Sequence, residues 1–315
     1  MFVFGPRLGW NMARIAAAWG ELEGRMSRSR PKTFVPIIAC ASLITLPCLG
    51  QRAEADKNEN EEKPPDPMSE PLVTDRPDFT ESTDAVPAGH LQIESGYTFT
   101  YDRESSDRVR DHTAPELLMR IGVVENFELR IGWDGYSWTD NQFEGRTRGD
   151  RRVTRDDWTQ GANDLALGIK YKFLEQDGPI PHFGVIAGLT VPSGSAGVSA
   201  GDVEPEAVLL WAYDVTESFA VAGNVGLAVP TDEGDRFFQT SASLSLAVAL
   251  TERVGVYVEY FGFYPNTEDS DAAHSVNGGL TYLINRNFQI DCRVGAGLNE
   301  EADDFFAGVG FAWRF

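Results

Sequence analysis

The twelve residues from Asp304 to Phe315 read D-F-F-A-G-V-G-F-A-W-R-F and alternate with period two. Ala307, Val309, Phe311, Trp313 and Phe315 fall on one face, and Gly308, Gly310, Ala312 and Arg314 on the other. Such a strand must set its apolar side against something other than water. A soluble sheet uses a core for this. A closed membrane barrel uses lipid, with an aromatic belt at each interface.

The pattern recurs through the chain before it. From His90 onward no helical stripe of ten residues exists, and twelve alternating runs follow one another. They span roughly 90–101, 114–123, 126–138, 162–173, 182–191, 203–213, 218–229, 238–250, 253–264, 274–284, 287–298 and 304–315. The connections alternate as well. Val124-Glu125, Thr251-Glu252 and Asn285-Arg286 are tight, whereas 102–113, 139–161, 192–202, 230–237 and 265–273 are longer and polar. Short turns on one side and long loops on the other are a mark of transmembrane barrels. The expectation is therefore an all-β chain: a transmembrane antiparallel β-barrel of the outer-membrane type with about 12 strands. Short turns and both barrel termini would face the periplasm. A soluble β-sandwich fits less well, because its strands run to five or six residues. Aromatics also gather at both ends of the runs, with Phe173, Tyr282 and Trp313 at the short-turn side and Phe99, Phe263 and Phe305 at the other.

The start of the chain sets the compartment. Residues 1–25 read as neither domain nor export signal and are not expected in the mature protein. Residues 26–55 have the form of a secretory signal peptide: Arg28, Arg30 and Lys32, then an apolar run from Phe34 to Leu49, then small residues. A single membrane anchor is disfavoured by Pro36 and Pro47. Residues 56–89 form an acidic, Pro-rich periplasmic lead, and 90–315 the barrel. Of three cysteines, Cys40 and Cys48 precede residue 51, so Cys292 alone remains and no disulfide can form within the mature chain. The whole chain carries a formal charge of −21; without residues 1–50 it has 21 basic against 46 acidic residues, or −25. Nucleic acid is excluded as a partner at that sign.

With the apolar face towards lipid, the lumen receives Glu94, Glu116, Arg120, Glu128, Arg130, Asp134, Lys170, Glu206, Glu259, Asp291 and Arg293. Charges of both signs on neighbouring strands either pair and fill the interior or line a hydrated path. Glu116, Arg120, Glu128, Arg130 and Asp134 are expected to share one wall. No catalytic or metal-ligating constellation stands out, and no cofactor is expected. His90, His112, His182 and His274 are scattered, and Ser193, Ser195 and Ser199 have no histidine beside them to act as base. The stretch around them reads as a flexible connection. Loop 139–161, rich in both signs of charge, is either a solvated surface loop or an infolded lid.

Ahead of the first run stands Leu72-Val73-Thr74-Asp75-Arg76-Pro77-Asp78-Phe79-Thr80-Glu81-Ser82, followed by Val86-Pro87-Ala88-Gly89-His90-Leu91-Gln92-Ile93-Glu94-Ser95-Gly96-Tyr97. This resembles the opening of the outer-membrane transporter family named after the meta pathway of phenol degradation. The likeness is strongest over 73–97 and continues more loosely, through Leu189 to Gly194, as far as Phe315. It implies an outer-membrane barrel and, less specifically, transport linked to aromatic compounds. Asp75, Arg76 and Asp78, flanking Pro77, are expected at the periplasmic mouth as a structural clasp rather than a ligand site. Expected partners are outer-membrane lipid, the barrel-assembly machinery with periplasmic chaperones, and a small-molecule solute. Two functions compete: a porin-like channel or transporter for small, aromatic or hydrophobic solutes, and a closed structural or adhesive barrel.

Overall fold

The structure, a computed structural model, describes residues 68–104, 107–146, 152–232, 234–267 and 271–315. Residues 1–25, the signal sequence and the first part of the lead lie outside the described residues. The strands are β1 (Leu91–Glu104), β2 (Asp107–Val124), β3 (Phe127–Trp133), β4 (Tyr136–Arg146), β5 (Arg152–Ala162), β6 (Leu165–Leu174), β7 (His182–Val191) and β8 (Glu204–Thr216). They continue as β9 (Phe219–Ala228), β10 (Thr231–Asp232), β11 (Asp235–Arg236), β12 (Gln239–Ala249), β13 (Val254–Pro265), β14 (Ala273–Asn285), β15 (Phe288–Gly297) and β16 (Phe305–Arg314).

These make an antiparallel barrel of twelve staves. β3 and β4 form one stave bent at Asp134-Gly135, β5 and β6 another bent at Asn163-Asp164, and β10–β11 is a two-residue ladder outside the barrel. Each stave pairs with its sequence neighbours, and closure comes from β1, which pairs with β2 on one side and β16 on the other. The closing seam runs from Gln92↔Arg314 to Tyr101↔Phe305. Closure leaves no barrel edge unpaired, as a hydrocarbon surrounding demands. The bend at Gly135 needs glycine: φ is +76°, and a Cβ there would lie 2.6 Å from the Ala114 carbonyl carbon.

Side-chain alternation does what the sequence predicts. On β16, Val309, Phe311 and Trp313 point out and are exposed, whereas Gly308, Ala312 and Arg314 point in and are buried. Leu129, Leu167, Leu227, Leu246 and Ile290 repeat the outward pattern around the wall. The outside is apolar and the inside polar, the inverse of a soluble protein.

Three connections differ from expectation. The stretches 102–113 and 139–161 are not simply loops: β1 and β2 pair out to Glu104↔Asp107, and β4 and β5 form a ladder from Tyr136↔Ala162 to Arg146↔Arg152. Main-chain pairing needs no lipid-facing side chain, so it continues where apolar alternation stops. The β4–β5 hairpin also pairs along the far half of β2, from Arg108↔Gln142 to Ala114↔Tyr136. The 192–202 connection, expected to be flexible, is pinned: the Asp164 carboxylate accepts from Gly194 N at 2.7 Å and Ala200 N at 2.9 Å, and Val198 is buried.

Candidate functional site

Residues 72–89 enter and leave the barrel at its short-turn end. Leu72 N donates to Arg286 O (2.8 Å) and Gly89 N to Gly122 O (2.8 Å), both acceptors lying in or beside short turns. Between these anchors the chain runs up into the lumen and back. Pro77 and Pro87 lack the N–H that a strand ladder would use. The polar residues between them bond locally instead: Ser82 donates through N (3.0 Å) and Oγ (2.8 Å) to Asp75 Oδ1, fastening the two limbs.

Asp75 is the centre of this arrangement. Its fully buried carboxylate lies 2.6 Å from Arg130 Nη1, 2.8 Å from Lys170 Nζ and 3.4 Å from Arg120 Nη1. Arg120 also pairs with Glu94 (3.0 Å) and Glu128 (2.9 Å), and Arg130 with Glu128 (3.0 Å) and Glu81 (2.6 Å). Three cations thus face four carboxylates, two from the wall and two from the segment for Arg130 and Lys170 to hold. Desolvating each ion costs several kcal/mol, which dense pairing of this kind offsets. Arg76 reaches the other way, to Glu116 (2.9 Å) and Asp291 (3.5 Å). Arg293 donates to Pro77 O (3.0 Å), and Lys172 holds Asp84 (2.9 Å).

Further up, Glu259 accepts from Phe79 N (2.8 Å), Thr80 N (2.6 Å) and Asn277 Nδ2 (2.7 Å). This places the Phe79 ring against the wall. It stacks on Phe261 with centroids 4.7 Å apart and planes at 13°, and meets Phe263 edge-on at 5.3 Å and 89°. Phe306, Ile186, Val208 and Leu210 complete an apolar socket. The segment therefore touches staves on every side of the lumen, and Arg120, Arg130, Lys170, Glu94 and Glu128 are left without solvent access.

Glu94, Arg120, Glu128, Arg130, Lys170, Glu259, Asp291 and Arg293 are all buried. The single-wall patch does not form as expected. Arg120, Glu128 and Arg130 do meet, but Glu116 belongs to Arg76 and Asp134 sits at the β3–β4 bend, away from the cluster. Glu206 is buried on β8, nearer the long-loop end. Asp75, Arg76 and Asp78 are not at the mouth. They lie inside the lumen, because the wall offers uncompensated charges that only an inserted partner can satisfy. Phe263 leaves the proposed aromatic girdle for the socket: with Val258 and Tyr260 outward, its odd parity turns it in.

Sequence reasoning missed the socket, although a signal existed. Val208-Leu209-Leu210-Trp211 and Tyr260-Phe261-Gly262-Phe263-Tyr264 are apolar on both faces, and a doubly apolar run marks a strand buried on both sides.

Fold and lumen together define an outer-membrane β-barrel that carries its own N-terminal segment inside. The chain belongs to the family described as "Putative MetA-pathway of phenol degradation", whose sequence profile matches residues 74–315 and so includes most of the inserted segment. Among solved structures, an outer membrane channel from Pseudomonas putida F1 superposes with a TM-score of 0.55 at 13% identity, covering 74% of this chain and 98% of that one. The translocator domain of the autotransporter NalP from Neisseria meningitidis gives a TM-score of 0.48 at 12% identity, covering 74% and 91%. A search of curated proteins finds no match.

Proposed function

We propose that this barrel passes small, aromatic or hydrophobic solutes across the outer membrane, and that residues 73–88 are its gate. The observation that carries the reading is Phe79 seated in the Phe261–Phe263–Phe306 socket. An apolar, aromatic-lined station inside an otherwise polar lumen suits a ring-bearing solute. It is filled here by a side chain from a segment held only by non-covalent contacts. Displacing Phe79 would vacate the station and loosen the limb that Glu259 holds. The second reading, a closed structural barrel, is favoured by the exhaustive pairing around Asp75.

Planar-bilayer conductance and proteoliposome uptake of benzyl alcohol, on the wild type and an Asp75→Ala/Phe79→Ala variant, separate the two. A channel shows low or flickering conductance in the wild type, with larger conductance and faster uptake in the variant. A variant that is folded by heat-modifiability yet conducts no more than lipid alone overturns transport and leaves the structural barrel.

A further inference from the structure

The inserted segment does not fill the lumen evenly. Against β1, β2, β3 and β6 the inward residues Gln92, Arg120, Glu128 and Lys170 are fully buried. On the other side, towards the short-turn end, Ala220, Ala222, Ala247, Gly255 and Thr281 also point inward, yet each keeps part of its surface open. Register sets them on β9, β12, β13 and β14, within two rows of Ser245. Side chains this small leave a recess between wall and segment. Asp78 forms its upper edge. Its carboxylate accepts from Ser245 Oγ at 3.2 Å and is partly exposed, whereas Asp75, three residues earlier, has no exposure at all.

The wall beside Asp78 is rich in acceptors that lack donors. Asp78 and Glu259 make no ion pair with any described residue. Asn277, 4% exposed, spends its Nδ2 on Glu259 and leaves Oδ1 without a donor. Asp291, 6% exposed, meets Arg76 through Oδ1 and leaves Oδ2 without one. Tyr257 lies across Gly279, where a Cβ would come 2.9 Å from its hydroxyl, and that hydroxyl has no partner either. The charges around it are those of Asp78, Arg293, Glu259 and Asp291. Arg293 is committed elsewhere: Nη1 donates to Pro77 O at 3.0 Å and Nη2 to Thr98 Oγ1 at 3.1 Å, and Nε faces the wall at Gly308. Buried acceptors without donors are costly, and carboxylates without a cation more so. Among the described residues no three His, Cys, Asp or Glu side chains are grouped to hold a metal ion. A cation with several N–H donors suits this spread of oxygens better.

We propose that this recess binds the protonated amino group of a small organic molecule that enters from the short-turn end. Asp78 supplies the counter-charge through a charge-assisted hydrogen bond. Tyr257 offers its hydroxyl oxygen as a second acceptor and its ring face to the cation. Asp291 Oδ2 and Asn277 Oδ1 stand behind them as further acceptors, and Ala222, Ala247 and Gly255 leave room for the body of the molecule. The site does not depend on whether the lumen conducts or Phe79 moves.

The test is isothermal titration calorimetry of the detergent-purified protein with benzylamine, and with benzyl alcohol as its neutral near-isostere, at about pH 7, where an alkylamine is protonated. The wild type should bind the amine about tenfold more tightly than the alcohol. Asp78→Asn, which keeps an acceptor for Ser245, should lose that preference, as removal of one charge-assisted contact implies. Tyr257→Phe should weaken amine binding by about threefold. Glu252→Gln, which removes an exposed carboxylate from the β12–β13 turn at the same end, should bind as the wild type does. Equal affinity of the wild type for amine and alcohol, or of wild type and Asp78→Asn for the amine, overturns the proposal. So does displacement of benzylamine by potassium ion at an equal concentration, which would make any monovalent cation the ligand. Were Asp78→Asn not to fold, the amine–alcohol comparison and the potassium competition on the wild type still decide.

Discussion

Asp75 and Lys170 meet at 2.8 Å inside the barrel, 95 residues apart in sequence. One belongs to a segment that makes no strand and the other to the wall of β6. Their pairing converts an N-terminal lead into part of the lumen. It also explains how a narrow barrel tolerates three cations at its centre, since the segment brings Asp75 and Glu81 to meet them.

Replacing Asp75 with Asn should leave Arg120, Arg130 and Lys170 undercompensated in a site without solvent. Breaking a buried pair by removing one partner costs about 3–5 kcal/mol. The expected outcome is release of the segment rather than loss of the barrel, because the strand ladder does not pass through Asp75. Limited proteolysis should then cut between residues 72 and 88 in the variant and spare the wild type, while the barrel keeps its heat-modifiable mobility. Equal protection in both proteins would remove Asp75 from its central role.

Gly96 and Gly310 are cross-strand partners on β1 and β16, and both lie under the Arg76 guanidinium. A Cβ at Gly310 would approach Arg76 Nε at 2.5 Å and the Ser95 carbonyl oxygen at 2.6 Å. The carbonyl cannot give way. Gly310→Ala should therefore dislodge Arg76 from Glu116 and lower stability by about 1–3 kcal/mol. Combined with Glu116→Gln, the loss should be well short of additive, since both changes remove the same contact. Additive losses in thermal unfolding would show that the glycine pair serves only the strand.

The fold was legible because lipid imposes a rule that every stave obeys, so Val309, Phe311 and Trp313 suffice to reveal it. Inward charges were legible by the same parity. Their partners were not, since parity says which face a residue takes and nothing about what fills the lumen. Asp75 and Phe79 lie in a segment without periodicity, and only the three-dimensional wall shows that Arg130 and Phe261 await them. The β4–β5 hairpin escaped for another reason: beyond the bilayer a strand needs no apolar side, and Thr139 to Phe143 carries almost none.

Lipid exposure on β16 should be graded with depth. Val309 lies mid-strand and Trp313 near the short-turn end, and both are about half exposed. Arginine at a barrel's midplane costs about 2–4 kcal/mol, falling to about 0–1 near an interface. Val309→Arg should thus cut the yield of folded barrel in lipid vesicles sharply, and Trp313→Arg only slightly. Equal effects would misplace the bilayer on this wall.

Orientation can be read with single cysteines in a Cys292→Ser background, Cys292 being exposed on the outer wall. Glu300, on the β15–β16 connection, and Glu217, in the β8–β9 turn, are both exposed. A bulky impermeant maleimide should label Glu300→Cys on intact cells and Glu217→Cys only once the outer membrane is broken. The reverse pattern would invert the barrel.

Asp303 gives the long-loop end a pH dependence. It sits in the connection between β15 and β16, where burial first, then the charges of Asp102, Asp111 and Asp304, push its carboxyl from 3.8 up to about 7. The folded protein therefore holds a proton that the unfolded chain releases near pH 4. Between about pH 4 and pH 7 the folded state binds more protons than the unfolded one, so stability falls as pH rises. At about 1.4 kcal/mol per pKa unit the ceiling is on the order of 4 kcal/mol. The backbone of Asp303 accepts from Gly297 N at 2.8 Å, and neighbouring Ala302 is buried beside the aromatic socket. Ionisation should accordingly be felt first as loosening of residues 298–304. Hydrogen exchange at Gly297 N, followed from pH 5 to pH 8 after correction for intrinsic rates, should show protection falling in the wild type and staying level in Asp303→Asn. A wild-type profile as flat as that of the variant would mean that Asp303 is already ionised in the folded protein at pH 5.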